Sequence, residues 1–293
     1  MPEENLFEMR NAFFLGNFDA CIKEAMKVKD SEEADIFKYR SYIAQKEYQV
    51  VLDAVSKSSS QNLLVLRHLA TYLDQPGSRE QIGQEVHSMA SSIDMEDPFS
   101  YIKLIVSAMI HFYEDNIESS LKILYSSNHI ECMALTLQLY LLLDRVDLAE
   151  KGLKKMQELD EEAIITQLAQ AWVNINIGGD KLQEAYFIYQ ELCDKYGQTA
   201  LLLNGTAVTL INQNKYDDVE DILQQAMDKD KNSPETLVNL IHVTYQLGKS
   251  LEITSRYLTK LRSSHTNHSY VKEYQAKDNE FDRLTRQYAM QYE

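Results

Sequence analysis

Turn-forming residues are scarce in this chain. Nine glycines and four prolines among 293 residues leave too little material for the many tight turns of a β-sandwich or barrel of this length, so helix is the expected element. Positive charge is also in short supply: 29 Lys and Arg stand against 45 Asp and Glu, a formal charge of −16. That balance argues against binding the phosphate backbone of nucleic acid and against adsorption to anionic lipid. Basic spots such as Lys151, Lys154 and Lys155 are local. The three cysteines, Cys21, Cys132 and Cys193, are far apart and have no Cys-x-x-Cys spacing, so neither a disulfide framework nor a zinc site is expected and a reducing compartment fits. No window approaches the roughly 20 uninterrupted apolar residues of a membrane span. The opening Met1-Pro2-Glu3-Glu4 lacks the pattern of a signal peptide, and Pro2 excludes N-myristoylation. Asn204-Gly-Thr and Asn267-His-Ser match glycosylation sequons, but a chain that never enters the secretory lumen does not use them.

What the chain does have is a period. Read in steps of 34, Ala185, Val219 and Ile253 share one register, Tyr189, Leu223 and Tyr257 a second, and Leu192, Ala226 and Lys260 a third. This is the period of tetratricopeptide units, each a helix–turn–helix that cannot bury its apolar face alone and stacks on its neighbours. The local signature is an aromatic or aliphatic residue opening the second helix, with a small or β-branched residue three positions later. It occurs at Phe18 with Cys21, Tyr48 with Val51, Ile117 with Ser120, Val146 with Ala149, Leu182 with Ala185 and Tyr216 with Val219. Small side chains there let two helices approach closely. The shorter step from Ser120 to Ala149 marks a trimmed repeat, and Gly178-Gly179 absorbs the longer step to Ala185. Between Asn62 and Ser92 the pattern weakens to two apolar stripes split by Gln75-Pro76-Gly77-Ser78, a turn between antiparallel helices. Ser56 to Gln61 and Asp94 to Pro98 are the only linker-like stretches. The expected architecture is therefore all-α: a tetratricopeptide-like helix-turn-helix solenoid over residues 1–264, about eight helix pairs, with a capping helix over 265–293. Whether the superhelix curls into a ring is left open.

In such units the first helix lines the inner surface. Aligning the repeats assigns as candidate partner-binding residues Ile105, Met109 and Phe112, then Gln138 and Leu141, Val173 and Asn176, Asn204, Val208 and Ile211, and His242 and Tyr245. Ala134, Ala169 and Val238 share the register. Most are apolar, and a contiguous exposed apolar lining is unusual for a soluble monomer, so the groove is expected to be filled. Two fillers are available: the superhelix tightens until its own sides touch, or a partner segment is inserted. A register error of one residue would instead move these side chains into the helix–helix core.

Catalytic and metal constellations fail on spacing. Asp228-Lys-Asp230-Lys-Asn232 opens like a calcium loop, but Ser233 stands where the turn needs glycine, and the expected final glutamate is Asn239. It reads as a helix-to-helix turn. His265 and His268 have no third ligand nearby in sequence. Gly178-Gly179-Asp180 lacks a phosphate-loop context. Asp160-Glu161-Glu162 reads as a solvated helix start, where carboxylates meet the positive end of the helix dipole, and Trp172 as a core residue. No catalytic residue, cofactor or metal is expected.

A family likeness rests on Asn11-Ala-Phe-Phe-Leu-Gly-Asn-Phe-Asp-Ala-Cys21, Tyr39-Arg-Ser-Tyr-Ile-Ala-Gln-Lys-Glu-Tyr48, Leu143-Asp-Arg-Val-Asp-Leu-Ala149, Gln167-Leu-Ala-Gln-Ala-Trp-Val-Asn174, Leu201-Leu-Leu-Asn-Gly205, Pro234-Glu-Thr-Leu237 and Phe281-Asp-Arg-Leu284. In collinear order from about residue 5 to 286, the chain resembles the epsilon subunit family of coatomer. The resemblance implies a non-catalytic subunit of the heptameric COPI vesicle coat, cytoplasmic and peripheral on Golgi membrane and COPI-coated vesicles, serving retrograde Golgi-to-ER and intra-Golgi transport. It further implies that the repeats curl round the C-terminal region of the alpha subunit, with other coat subunits contacted indirectly and with no nucleic acid and no membrane insertion. The alternative is a co-chaperone-like tetratricopeptide adaptor that captures peptide C-termini. That mode needs a Lys/Arg carboxylate clamp, and only Arg10 and Arg40 are candidates for one.

Overall fold

The computed structural model describes residues 2–56, 59–91 and 97–289. The two linker-like stretches fall partly outside the described residues, at 57–58 and 94–96. The described residues form α-helices and no strand. Helices α1 (Pro2–Phe14), α2 (Phe18–Lys27), α3 (Glu32–Ala44), α4 (Tyr48–Ala54), α5 (Gln61–Asp74) and α6 (Arg79–Ser91) lead into α7 (Tyr101–Tyr113), α8 (Ile117–Leu124), α9 (Ile130–Leu142), α10 (Val146–Asp160) and α11 (Ile164–Ile177). They are followed by α12 (Lys181–Tyr196), α13 (Ala200–Asn212), α14 (Tyr216–Lys229), α15 (Pro234–Gln246), α16 (Leu251–Ser264) and α17 (Ser269–Ala289). The chain divides into two compact units, Met1–Lys181 and Leu182–Glu293.

The repeated signature opens helices as its spacing predicts. Phe18, Tyr48, Ile117, Val146 and Tyr216 are the first residues of α2, α4, α8, α10 and α14, and Leu182 is the second of α12. Cys21, Val51, Ser120, Ala149, Ala185 and Val219 are each 0% exposed. Small, fully buried side chains at these positions let the paired helices approach closely. At one of them the Ser120 hydroxyl reaches the Ala108 carbonyl of α7 at 2.8 Å, which also satisfies a hydroxyl that burial would otherwise leave unpaired. The Pro-Gly segment forms a single 3₁₀ turn, Pro76–Ser78, between α5 and α6. The trimmed repeat corresponds to the eight-residue α8.

One turn geometry recurs between helices. Gly16, Lys46, Asp115, Asp144, Asn214 and Gly248 all have φ between 55° and 76°. In each case the following N–H bonds back to a carbonyl five residues earlier, as Asn17 to Ala12 (2.8 Å), Glu47 to Tyr42 (2.9 Å), Arg145 to Tyr140 (2.8 Å) and Lys249 to Thr244 (3.0 Å). This closure satisfies the last free carbonyls of the first helix and aims the chain into the second. Glycine is the natural occupant of a left-handed position, yet four of the six sites carry Lys, Asp or Asn, which is why glycine counting underestimates these turns.

Unit 1 closes on itself. Its first-of-pair helices α1, α3, α5, α7, α9 and α11 each touch the next, and α1 meets α11. Phe14 of α1 packs against the cluster formed by Ala134, Leu137, Ala149, Leu153, Met156, Ile165, Ala169 and Val173. The unit's interior is therefore filled by its own side chains. A second core runs from Ile36 through Val65, Leu66, Ile102 and Val106 to Leu124 and Cys132.

Unit 2 stacks α12 to α17. Its cores are Ala207, Val219, Leu223, Leu240 and Val243, and Leu237, Ile241, Leu261 and Val271, the last being the foothold of α17. Where α12 crosses α13, Gly205 lies under Tyr189. A Cβ at Gly205 would fall 2.3 Å from the tyrosine ring, and Tyr189 is buried.

Two substitutions probe these constraints with opposite signs. Lys46→Gly relieves a left-handed lysine on the surface and is expected to raise stability by about 0.5–1 kcal/mol, the conformational relief being partly offset by chain entropy. Gly205→Ala forces a buried ring aside and is expected to cost about 1–3 kcal/mol. Denaturant titration of the two variants reads both effects.

Candidate functional site

The inner-surface residues expected from the repeat alignment separate by burial. In unit 1, Ile105 and Val173 are enclosed in the core, Met109 and Leu141 are half-buried against it, and Phe112, Gln138 and Asn176 are exposed. Ile105 and Val173 were expected on a partner-facing surface; their enclosure corrects that placement. The reason is geometric: where inner helices pack on both flanks and also across the unit, a 3.6-residue period cannot separate the inner lining from the helix–helix seam. Asn176 turns back on its own helix, donating from Nδ2 to the Trp172 carbonyl at 2.9 Å. Trp172 packs beside the core cluster.

In unit 2, Asn204 is committed to holding α13 against α15. Its Nδ2 donates to Thr236 Oγ1 (2.7 Å) and to the Ala200 carbonyl (2.8 Å), and its Oδ1 accepts from Asn239 Nδ2 at 3.0 Å. Thr236 and Asn239 carry no signal of their own in the sequence. Val208 and Ile211 are half-buried. His242 and Tyr245 are exposed and line an open cleft of about 330 Å³ with Ile241, Leu251, Leu258 and Tyr274, between α15, α16 and α17. His242 and Tyr245 thus share this cleft with further apolar side chains.

The interior of unit 1 holds a polar cluster that sequence spacing did not suggest. Arg40 of α3 donates from Nη2 to Glu131 Oε2 of α9 at 2.6 Å across 91 residues, with side-chain exposures of 14% and 5%. The guanidinium also lies over the rings of Phe13 (4.4 Å) and Phe37 (5.0 Å). Burial opposes the charge on Arg40, but attraction to Glu131 and the hydrogen bond leave its pKa above the ordinary value. Arg10 donates to Glu33. Tyr101 stacks on His129 with ring centroids 3.5 Å apart and planes 12° off parallel. Burial first, then the Glu131 charge, pushes the phenol of Tyr101 far above its usual range. Burial, opposed by Glu131 and aided by Arg40, holds His129 below its ordinary value, and His129 Nδ1 accepts from the Glu131 N–H at the start of α9. Both arginines that a carboxylate clamp would require are thus engaged by carboxylates of the same chain.

Nucleophilic chemistry has no foothold among the cysteines. Cys21, Cys132 and Cys193 are free and buried, and burial pushes the Cys132 thiol up to about 12, away from the thiolate form that reacts. Among the described residues no group of three His, Cys, Asp or Glu is placed to hold a metal ion. The Asp228–Asn232 segment is a helix-to-helix turn, with Asp230 Oδ1 accepting from the Asn232 N–H (2.9 Å) and Ser233 capping α15.

Comparison with known proteins is consistent along the whole chain. The family described as coatomer epsilon subunit matches residues 2–289. The chain is 33% identical over 290 residues to coatomer subunit epsilon-1 of Arabidopsis thaliana, covering 98% of both proteins. It is 35% identical over 282 residues to coatomer subunit epsilon-1 of Oryza sativa subsp. japonica, covering 95% of this chain and 96% of that one. The chain belongs to the coatomer epsilon subunit family. Among solved structures, a tetratricopeptide repeat protein from Parabacteroides merdae superposes on 93% of this chain and 96% of its own with a TM-score of 0.60 at 15% identity. That likeness bears on fold alone, and it is the fold the 34-residue period predicts. In this chain the repeats are thus of tetratricopeptide type, with a first unit whose interior is closed and a second with an open cleft.

The polar cluster generates two expectations. Arg40→Met leaves Glu131 buried without its partner and is expected to cost about 3–5 kcal/mol, whereas Arg40→Met combined with Glu131→Leu recovers most of that loss; a double-mutant denaturation cycle measures it. The folded chain also binds a proton on His129 more weakly than the unfolded chain, where imidazole titrates near about 6.5. His68 and His111 are shifted the same way, with burial the main cause. Stability is therefore full above about pH 6.5 and falls as the pH drops below it. His129→Asn, which keeps a capping acceptor, is expected to flatten the slope of melting temperature against pH.

Proposed function

We propose that this chain is a non-catalytic, structural subunit of the COPI vesicle coat, and that it binds and stabilises the C-terminal region of the alpha subunit in retrograde Golgi-to-ER and intra-Golgi transport. The observation that carries the reading is the end-to-end family match over residues 2–289, joined to a body built wholly of stacked helices. Stacked repeats supply a stiff scaffold with a long contact surface, a construction suited to holding another polypeptide. Family and fold both point to a structural part and away from an enzyme.

The partner's place is in unit 2. The cleft beside His242 and Tyr245 is open, largely apolar and bordered by Leu251, which is 76% exposed. An apolar segment inserted there removes that surface from water at roughly 25 cal/mol per Å², with lost motion subtracted from the gain. The subunit works in the cytoplasm, peripheral to Golgi membrane and COPI-coated vesicles. No helix among the described residues is long and apolar enough to cross a membrane, and contact with the bilayer runs through other coat subunits.

Co-expression with the C-terminal region of an alpha subunit is expected to yield a stoichiometric complex by size-exclusion chromatography. His242→Glu with Tyr245→Glu changes two exposed side chains and is expected to weaken the complex at least tenfold while the melting temperature of the free chain stays unchanged. No complex with the unaltered chain would overturn the alpha-subunit reading. Full binding by the double variant would move the contact away from the cleft.

A further inference from the structure

Two helices of unit 1 end on the wrong charge. Asp74 is the last residue of α5 and Glu114 directly follows α7, where free carbonyls already form the negative end of the helix dipole and a cation is favoured. Neither last turn holds a Lys or Arg. Asp74 is exposed and accepts from the Gln49 side-chain amide at 3.1 Å. Glu114 is exposed too, and its ionisable neighbour is His111, with Nδ1 at 3.9 Å, an imidazole whose pKa burial lowers.

Aromatic rings stand at these carboxylates where a base would be expected. Tyr72 stacks on Tyr113 with centroids 6.2 Å apart and planes 26° from parallel, and Tyr113 is 48% exposed. Tyr72 is only 2% exposed, yet its hydroxyl has no hydrogen-bond partner among the described residues. Burial first, then Glu114, raises the Tyr72 phenol against the opposing charge of Arg79, with Tyr113 adding to the rise. Burial first, then Tyr113 and Asp74, raises the phenol of Tyr48 at the start of α4. The unpaired Tyr72 hydroxyl thus opens toward Glu114 and Tyr113, and Tyr48 lies within reach of both Tyr113 and Asp74.

Arg79 does not neutralise this site. Its guanidinium lies over the Tyr72 ring at 5.2 Å and its Nε donates to the Tyr72 carbonyl at 3.1 Å, and neither carboxylate is its ion-pair partner among the described residues. Lys46 and Glu47, in the turn before α4, offset each other, and Asp115 adds a further negative charge. What remains unmet is a cation with several donors and a flat face. A guanidinium stacks on a phenol ring and donates in its own plane, whereas an ammonium is a compact point charge. We infer that this surface receives an arginine side chain of a partner protein, its guanidinium over the Tyr113 ring, donating to Glu114 and the Tyr72 hydroxyl and held in the field of Asp74. This goes beyond the alpha-subunit reading and is tested without the alpha subunit, so either can fail alone.

The probes are two end-capped pentapeptides, Ala-Leu-Arg-Leu-Ala and its counterpart with citrulline, which keeps the shape of arginine without the charge, titrated calorimetrically into the full chain. The arginine peptide is expected to bind about tenfold more tightly, with affinity falling as salt rises. Asp74→Asn with Glu114→Gln is expected to remove that difference and to raise the melting temperature of the free chain, because two carboxylates leave negative helix ends. Tyr72→Phe deletes only the unpaired hydroxyl and is expected to weaken the arginine peptide about threefold. Asp217→Asn with Asp218→Asn removes as much charge from the exposed first turn of α14 and is expected to leave binding unaltered. Equal affinity for the two peptides, or a preference that survives Asp74→Asn with Glu114→Gln, would overturn the inference. So would undiminished binding by Tyr72→Phe, or a lysine peptide that binds as tightly as the arginine one. An equal loss in the α14 variant would assign the attraction to the acidic chain as a whole, and a lower melting temperature for the Asp74 and Glu114 variant would assign the carboxylates to the fold; either result overturns it as well.

Discussion

Close approach between paired helices is the constraint on which this protein is built. A helix with one apolar face cannot keep it from water alone, and its neighbour can cover that face fully only if no bulky side chain stands at the crossing. Cys21, Val51, Ser120, Ala149, Ala185 and Val219 occupy those crossings and are completely buried. Gly205 beneath Tyr189 is the same solution taken to its limit, with the side chain removed altogether. Once the crossings are set, the left-handed turn that recurs in six of the helix pairs carries the chain from the first helix into the second, and the stack extends by repetition.

Repetition alone does not explain unit 1. A solenoid has no intrinsic reason to bring its first and sixth inner helices together, yet α1 meets α11 and Arg40 reaches Glu131. Aromatic packing of Phe13, Phe14 and Phe37 provides the apolar wall for this closure. The ion pair within it is weak evidence of net stability, because two desolvated charges cost roughly what their attraction returns. Its contribution is selectivity: a guanidinium and a carboxylate that are both withdrawn from water must meet, so any register that separates them is penalised. The interior that a repeat protein would ordinarily offer to a ligand is, in this unit, used to hold the unit itself.

The consequence for function is a division of surfaces. Unit 1 spends its inner lining on its own closure. Unit 2 keeps a cleft beside Tyr245 and a helix, α17, whose outer half presents aromatic side chains to solvent. Closure and open surface are thus found in different segments of one repeat pattern.

How much of this could be read in the residues follows from the range of the interactions. Helix identity, the starts of α2, α4, α8, α10 and α14, and the buried small residue in each depend on neighbours within one repeat, so the local signature, together with the 34-residue period of the second half, was sufficient to place them. The end-to-end likeness to the epsilon subunits was legible for the same reason, being collinear. Local pattern failed where a side chain had two apolar neighbourhoods to choose from: Ile105 and Val173 went to the core because inner helices in unit 1 are packed on more than one side. It failed also where the partner lay far along the chain, as with Arg40 and Glu131 or Asn204 and Asn239, and where Lys46, Asp115, Asp144 and Asn214 took a backbone conformation usually left to glycine. The chain's order of residues determined which helices form and how each pair crosses. Only the tertiary structure decided which surfaces are used up by closure and which stay open, because that depends on contacts between helices brought together by the accumulated curvature of the stack.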